Sequence, residues 1–272
     1  MALPRPDPDR TCLVTGASSG IGAEIARRLA AQGLGVTLVA RRLDRLVALG
    51  HELAAAYSVR VEHVAADLAD PAARDTLAAQ LAERRLAVGV LVNNAGFSTT
   101  GPVRHADRGR ELALVRTDVE AVVDLCTRFA PGMAERGEGA ICNVASTAAF
   151  QPLPGQAAYS AAKAFVLTYS QALGAELARV GVSVTALCPG PVETEFYDAA
   201  GFSERERSRM VPRFMWVPAT EVATAAVEGM AAGRPVVIPG LANRVAAHAA
   251  ALLPRSLLMP ALGRHYPLMR DG

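Results

Sequence analysis

The sequence predicts an α/β protein: a doubly wound parallel sheet of about seven strands with helices on both faces. Three observations carry this. Short runs rich in Val, Leu and Ile alternate with Ala/Leu-rich stretches of helical spacing. The short runs lack polar/apolar alternation, as expected of strands buried on both faces. The first run opens into a glycine-rich turn followed by a helix.

The strand candidates in order are TCLVT (11–15), GVTLVA (35–40), VRVEHVAA (59–66), VGVLVN (88–93), AICNVAS (140–146), VSVTALC (182–188) and PVVIP (235–239). The stretches between them read as helices. After the first strand, Ile25, Leu29 and Gln32 follow helical spacing and Gly33 supplies a stop. The pattern is strongest from Ala157 to Leu177. No interior linker or repeat interrupts the series. Residues 1–272 therefore read as one domain, with a core over 10–240 and a distinct tail over 241–272.

Composition narrows the function classes. The chain is 51% apolar with a formal net charge of +2 and no basic run with interleaved aromatics, which argues against a nucleic-acid partner. Cys12, Cys126, Cys142 and Cys188 form no C-x-x-C pair and sit in apolar runs, so they read as buried thiols of a reducing, cytoplasmic protein. The five histidines are scattered, and no metal site is expected. MALPRPDPDR has no apolar core and does not read as a signal peptide. No apolar run is long enough to span a membrane.

The first turn is TGASSGIG, Thr15 to Gly22, with glycines at 16, 20 and 22. Glycines there let the backbone bend tightly and approach a ligand, while the first N–H groups of the helix favour an anionic phosphate. The second strand ends at Ala40 and is followed by Arg41 and Arg42. An acid at that point would bind ribose hydroxyls; a guanidinium instead matches a phosphate. This favours a 2′-phosphate, hence NADP(H) over NAD(H), against the plainer reading of a solvated Arg pair opening a helix. Asp67, after the third strand, is placed to accept from an adenine amino group. NNAG (Asn93–Gly96), after the fourth, supplies a second close backbone approach.

The chain contains 28 Lys plus Arg, of which only Lys163 is lysine. It stands four residues after Tyr159 on a helix, so the two share a face about 6 Å apart. A nearby ammonium favours the phenolate and is expected to lower the tyrosine pKa. Such pairs often merely decorate a helix. Here Ser146 ends the fifth strand, at the carboxyl edge where ligands bind in this architecture.

TGASSGIG, NNAG, Ser146, YSAAK and CPGPVET together resemble the short-chain dehydrogenase/reductase family, in its standard-length subgroup, over about residues 10–240. The resemblance implies a Rossmann-type fold, a nicotinamide cofactor and a homodimer or homotetramer acting on a small carbonyl or alcohol substrate. It implies that Tyr159 is the general acid/base, that Ser146 hydrogen-bonds the reacting oxygen, and that Lys163 tunes the tyrosine and holds a ribose. The cofactor contacts it implies are Gly16, Ser18, Ser19, Gly20, Ile21, Gly22, Arg41, Arg42, Asp67, Leu68, Asn94, Ala95 and Gly96. Tyr159 and Lys163 join them, as do Pro189, Gly190, Val192 and Thr194 from the loop that flanks the nicotinamide amide.

One position departs from the pattern. The family's usual Asn falls at Asp118. Its main-chain carbonyl would hold a water that reaches the lysine, and an Asp keeps that carbonyl while adding a charge near Lys163. A catalytically weak cofactor-binding scaffold is therefore the alternative to an active enzyme. A nucleotide-sugar epimerase fits poorly on glycine spacing.

A substrate lid is expected near 191–218. Phe196, Tyr197, Phe202, Met210, Phe214, Met215 and Trp216 either line an apolar pocket, for a lipid-like, acyl, steroid-like or aromatic ketone, or pack the lid on the body. The polar stretch SERERSRM between them reads as a solvated face. The tail, broken by Pro254, Pro260 and Pro267, packs on the body or at a subunit contact; a membrane surface is the lesser alternative.

Overall fold

The computed structural model describes residues 3–202, 211–256 and 259–260. Seven strands form one parallel sheet: β1 Arg10–Thr15, β2 Val36–Ala40, β3 Val61–Ala65, β4 Ala87–Asn93, β5 Gly139–Val144, β6 Val182–Leu187 and β7 Val236–Val237. Their spatial order is β3-β2-β1-β4-β5-β6-β7. The order reverses between β1 and β4, and ligands of open α/β sheets bind at such a point, outside the carboxyl ends of the strands.

The register explains the missing alternation. Within β1, Cys12 and Val14 face one core while Leu13 faces the other; within β4, Val90 and Val92 oppose Leu91 in the same way. Helices α1 (Gly20–Ala30), α2 (Leu43–Tyr57) and α8 (Ala219–Ala231) cover the first face through Ile25, Leu29, Leu46, Leu53, Val222 and Met230. Helices α3 (Pro71–Glu83), α5 (Ala121–Arg136) and α6 (Ala157–Leu177) cover the second through Leu77, Leu81, Leu125, Met133, Val166 and Leu167. Each of these side chains contributes roughly 1.5–3 kcal/mol by leaving water. The four cysteines belong to these cores, and burial pushes their thiols up to about 12.

Local chemistry sets the helix ends. Asp70 accepts from the Ala72 N–H at 3.0 Å and Pro71 opens α3. Asp107 accepts from Arg110 N–H at 2.7 Å and starts α4 (Arg108–Val115). Helix α4 does not stop before α5. The two are joined by a π-turn over Arg116–Glu120, one residue more per turn than an α-helix would hold. Arg74 of α3, only 3% exposed, locks this junction. It donates to Asp124 at 2.5 Å, to the Leu68 carbonyl at 2.7 Å and to Glu120.

Several strands are shorter than their apolar runs, the third reduced from 59–66 to Val61–Ala65 among them. The seventh keeps only Val236 and Val237, and the fifth ends at Val144, two residues before Ser146. Beyond Val144 the chain still follows β6, with Ala145 N–H donating to Leu187 O at 2.7 Å and Thr147 N–H to Pro189 O at 2.9 Å. Ser146 is therefore not the end of a strand but the cap of a 3-10 turn, Thr147–Phe150. In the tail, helix α9 spans Leu241–Leu252. Met210, the SERERSRM stretch and residues 261–272 lie outside the described residues.

Candidate active site

One cavity of about 780 Å³ runs along the carboxyl edge of the sheet. At one end stands the glycine turn, where Gly16 and Gly20 adopt φ of +65° and +56°. A Cβ on Gly22 would lie 2.4 Å from Asn94 Nδ2 and 2.5 Å from the Gly16 carbonyl oxygen. The glycine is thus required by the turn itself. Asn94 holds that turn: its Nδ2 donates to Thr15 O at 2.9 Å, and Thr15 Oγ1 accepts from the Asn94 and Ala95 N–H groups at 2.9 and 3.0 Å. Ser19 precedes α1 without a side-chain cap, leaving the first N–H groups of the helix free of a side-chain partner.

Arg41 follows β2 exposed on the cavity wall. Arg42 is engaged: its Nη2 donates to Ser18 Oγ at 3.0 Å and Ser19 Oγ at 3.1 Å. Asp67 uses Oδ1 to accept from Ala69 N–H at 3.0 Å and lines the same wall with Leu68.

At the other end, α6 brings Tyr159 and Lys163 to the cavity beside Ser146. Lys163 Nζ lies 5.6 Å from the Tyr159 ring centroid, close to the spacing expected of i and i+4. It is 5% exposed and donates to Val144 O at 3.0 Å. Its other partner is Asp118 Oδ2, also at 3.0 Å. The Asp118 Oδ1 accepts from Phe97 N–H at 3.1 Å. Burial pushes the Asp118 carboxyl above its ordinary value, against the pull of Lys163 and of that N–H. Gly96 makes the room: a Cβ there would stand 2.7 Å from Asp118 Oδ2.

The charge that the aspartate brings near Lys163 is its carboxylate, in direct contact with the ammonium. One expectation needs correction: the Tyr159 pKa is not lowered. Burial raises its pKa well above the usual phenol value, the Ser146 hydrogen bond pulls the other way, and the Asp118 charge raises it further. With Asp118 at contact distance, the lysine charge is largely matched before the tyrosine can use it.

Of the catalytic and cofactor-contact residues expected from the sequence, all but Gly22 and Asp118 line the cavity, including Ile21, Ala95, Pro189, Gly190, Val192 and Thr194. The aromatic cluster both lines and packs. The Phe196 ring packs tilted against Tyr159 with centroids 5.7 Å apart, Tyr197 meets Phe196 edge-on at 5.6 Å, and Tyr197 touches Phe202 and Trp216 at 5.5 and 5.2 Å. Phe196, Tyr197, Phe202 and Met215 line the cavity, whereas Phe214 is 75% exposed.

Asn243, Arg110, Gln151 and Gln156 also line the cavity and were not visible as site residues in the sequence. Asn243, in α9, donates to Met215 O at 2.9 Å and to Pro239 O at 3.3 Å. It fills the space a Cβ on Gly190 would need, with its Cγ 2.4 Å from that position. The only sequence signal was a lone Asn in an apolar helix.

The short chain dehydrogenase family model matches residues 10–203. The chain belongs to that family of oxidoreductases. It is 40% identical over 185 residues to sulfoacetaldehyde reductase of Chromohalobacter salexigens, covering 67% of this chain and 72% of that one. Among solved structures it is similar to a short-chain dehydrogenase from Sphingobium yanoikuyae in complex with NADPH. That match has 36% identity and a TM-score of 0.79, over 92% of this chain and 95% of the other. It is also similar to the bulky-bulky ketone specific alcohol dehydrogenase of Comamonas testosteroni, at 31% identity and a TM-score of 0.74, over 94% and 98% of the two chains.

Proposed function

We propose that this protein is an NADP(H)-dependent carbonyl reductase or alcohol dehydrogenase, acting on a ketone or secondary alcohol with an apolar body. The observation that carries the reading is a single cavity joining Ser146, Tyr159 and Lys163 at one end to the glycine turn and Arg41 at the other.

The residues present fit the cofactor. The glycine turn has room for close backbone approach, the open N–H groups of α1 suit its pyrophosphate, and no acid stands at the end of β2 to repel a 2′-phosphate. Arg41 and Arg42 would hold that phosphate, Asp67 and Leu68 the adenine side, and residues 189–194 the nicotinamide amide. When bound, the nicotinamide supplies or accepts the hydride. The chain's own groups manage the proton and the geometry. Ser146 Oγ donates to the substrate oxygen and fixes it beside Tyr159. The Tyr159 hydroxyl delivers its proton to that oxygen in reduction and takes it back in oxidation. Lys163, paired with Asp118 in the free protein, would hold a ribose hydroxyl. The high tyrosine pKa of the free protein keeps the phenol protonated at neutral pH, the form reduction needs.

Phe196, Tyr197, Phe202 and Met215 support an apolar substrate, as does the bulky-ketone specificity named for the Comamonas relative. We read the whole of 1–272 as one catalytic domain. The homo-oligomeric reading draws support from the exposed Phe165, stacked on Tyr169 in α6. Among the described residues no helix is long and apolar enough to cross a membrane.

The Asp118–Lys163 pair is the observation that favours the second reading, a scaffold that binds cofactor but turns over poorly. A panel of ketones and alcohols, followed at the nicotinamide absorbance with NADPH and NADH, separates the two. Turnover of bulky ketones with NADPH, abolished in Tyr159→Phe, is expected. Tight cofactor binding with no turnover of any substrate supports the scaffold, and tighter binding of NADH than NADPH overturns the cofactor assignment.

A further inference from the structure

Glu195 stands at the end of the loop that follows β6, immediately before the short helix α7 (Phe196–Ala199). Its carboxylate reaches across the cavity mouth. Oε2 accepts from Arg42 Nη1 at 2.8 Å and Oε1 from Arg45 Nη1 at 2.5 Å. The same Arg42 donates through Nη2 to Ser18 and Ser19 of the glycine turn. One carboxylate therefore sits where two guanidiniums and two turn hydroxyls converge, a donor set suited to a phosphate. The neighbouring Thr194 rests on the turn: a Cβ on Gly20 would lie 3.0 Å from Thr194 Cγ2. The loop is down on the glycine turn, and Glu195 pins it there.

We propose that Glu195 is an internal anion that latches this loop to Arg42 and Arg45 in the free protein and competes with the cofactor's 2′-phosphate for those guanidiniums. The proposal rests on the NADP(H) reading above. Arg45 and then Arg42 hold the Glu195 carboxyl below its ordinary range, so it is charged at neutral pH. A 2′-phosphate brings more charge and more acceptor oxygens than one carboxylate, so it can displace Glu195 rather than add to it. The ion pairs are about half exposed, with side-chain exposures of 42–43% for the arginines and 49% for Glu195. Exposed pairs are weak, so the latch yields to the cofactor and modulates affinity severalfold rather than by orders of magnitude. Release of a bound 2′-phosphate is assisted in turn, because Glu195 is ready to recapture the arginines. Glu195 thus sets how strongly the protein discriminates between cofactors with and without the phosphate.

The test uses the full chain and two fragments, 2′,5′-ADP and 5′-AMP, titrated calorimetrically into the native protein and into Glu195→Gln. The substitution removes the charge on an exposed side chain, and a thermal melt confirms the fold. Expected is an affinity for 2′,5′-ADP that rises about threefold or more, with 5′-AMP within about twofold of native. NADPH release, followed by stopped-flow fluorescence, slows by a comparable factor. An unchanged ratio of the two affinities, or equal tightening of both fragments, overturns the latch. The NADP(H) reading fails separately, if the native protein binds 2′,5′-ADP no more tightly than 5′-AMP.

Discussion

Lys163 Nζ lies 3.0 Å from Asp118 Oδ2 in a site closed to solvent, so the only lysine in the chain is ion-paired before any cofactor arrives. The proton donor beside it feels that pairing. The Asp118 charge raises the Tyr159 pKa, in addition to the larger effect of burial.

Asp118→Asn should therefore lower the Tyr159 pKa. Oxidation requires the phenolate, so its rate rises with pH through that pKa, and the rise moves to lower pH in the variant. Reduction requires the phenol, so its decline at high pH begins earlier. Turnover at neutral pH should stay within about tenfold of native, a barrier change near 1.4 kcal/mol. Profiles of kcat/KM against pH in both directions check this. A gain of several hundredfold would show that the native aspartate cripples the site.

Lys163→Arg keeps the charge but not the shape. Nζ is held between Val144 O and Asp118 Oδ2, both at 3.0 Å, with 5% of the residue exposed. A planar guanidinium has no room to satisfy both partners and still reach a ribose. Activity should fall by about a hundredfold or more while circular dichroism and the melting transition stay near native. Full activity would remove the argument for an ammonium at this position.

The reactive helix was the most legible part of the chain. Its pattern from Ala157 to Leu177 matches α6 end to end, because small and apolar residues repeat with no proline and only one glycine, Gly174, among them. The glycine turn and NNAG were legible because close backbone approach leaves glycine little substitute. The Asp118 charge near Lys163 was legible as well, but not the direct contact between the two. It depends on the π-turn at Arg116–Glu120, and an extra residue per turn leaves no mark on an Ala/Val-rich pattern. The sequence showed that Tyr159 has a cation nearby but not that it is buried, and burial decides the direction of its pKa. Glu195 and Arg42 are separated by 153 positions, and a surface pair over that distance has no local signature.

Gly22→Ala tests the glycine turn. The added methyl would meet the Gly16 carbonyl oxygen within the turn at 2.5 Å and Nδ2 of Asn94, which holds the turn, at 2.4 Å. Part of the turn must shift, so cofactor affinity should drop by at least about tenfold, or 1.4 kcal/mol. Fluorescence titration with NADPH reads it. Native affinity in a folded variant would mean that Asn94 gives way at no cost to the phosphate groove.

Arg74→Ala probes the junction of α3 with the π-turn. The side chain is almost wholly buried and serves Asp124, Glu120 and the Leu68 carbonyl together. Removing it leaves Asp124 with Arg128 alone, takes a partner from the half-exposed Glu120 and strips the Leu68 carbonyl of its donor, a loss on the order of 2 kcal/mol. Urea unfolding measures this. Stability within about 0.5 kcal/mol of native would assign the network a negligible role.

Burial of the sole lysine has a practical consequence. A lysine-specific protease finds one side-chain address in this chain, and folding conceals it in a cavity wall. Cleavage after Lys163 becomes a clock for opening of the reactive helix: molecules cut there have exposed α6. Because the cavity is also where the cofactor is proposed to seat, saturating NADPH should slow the clock, reporting occupancy of the site with no substrate in hand.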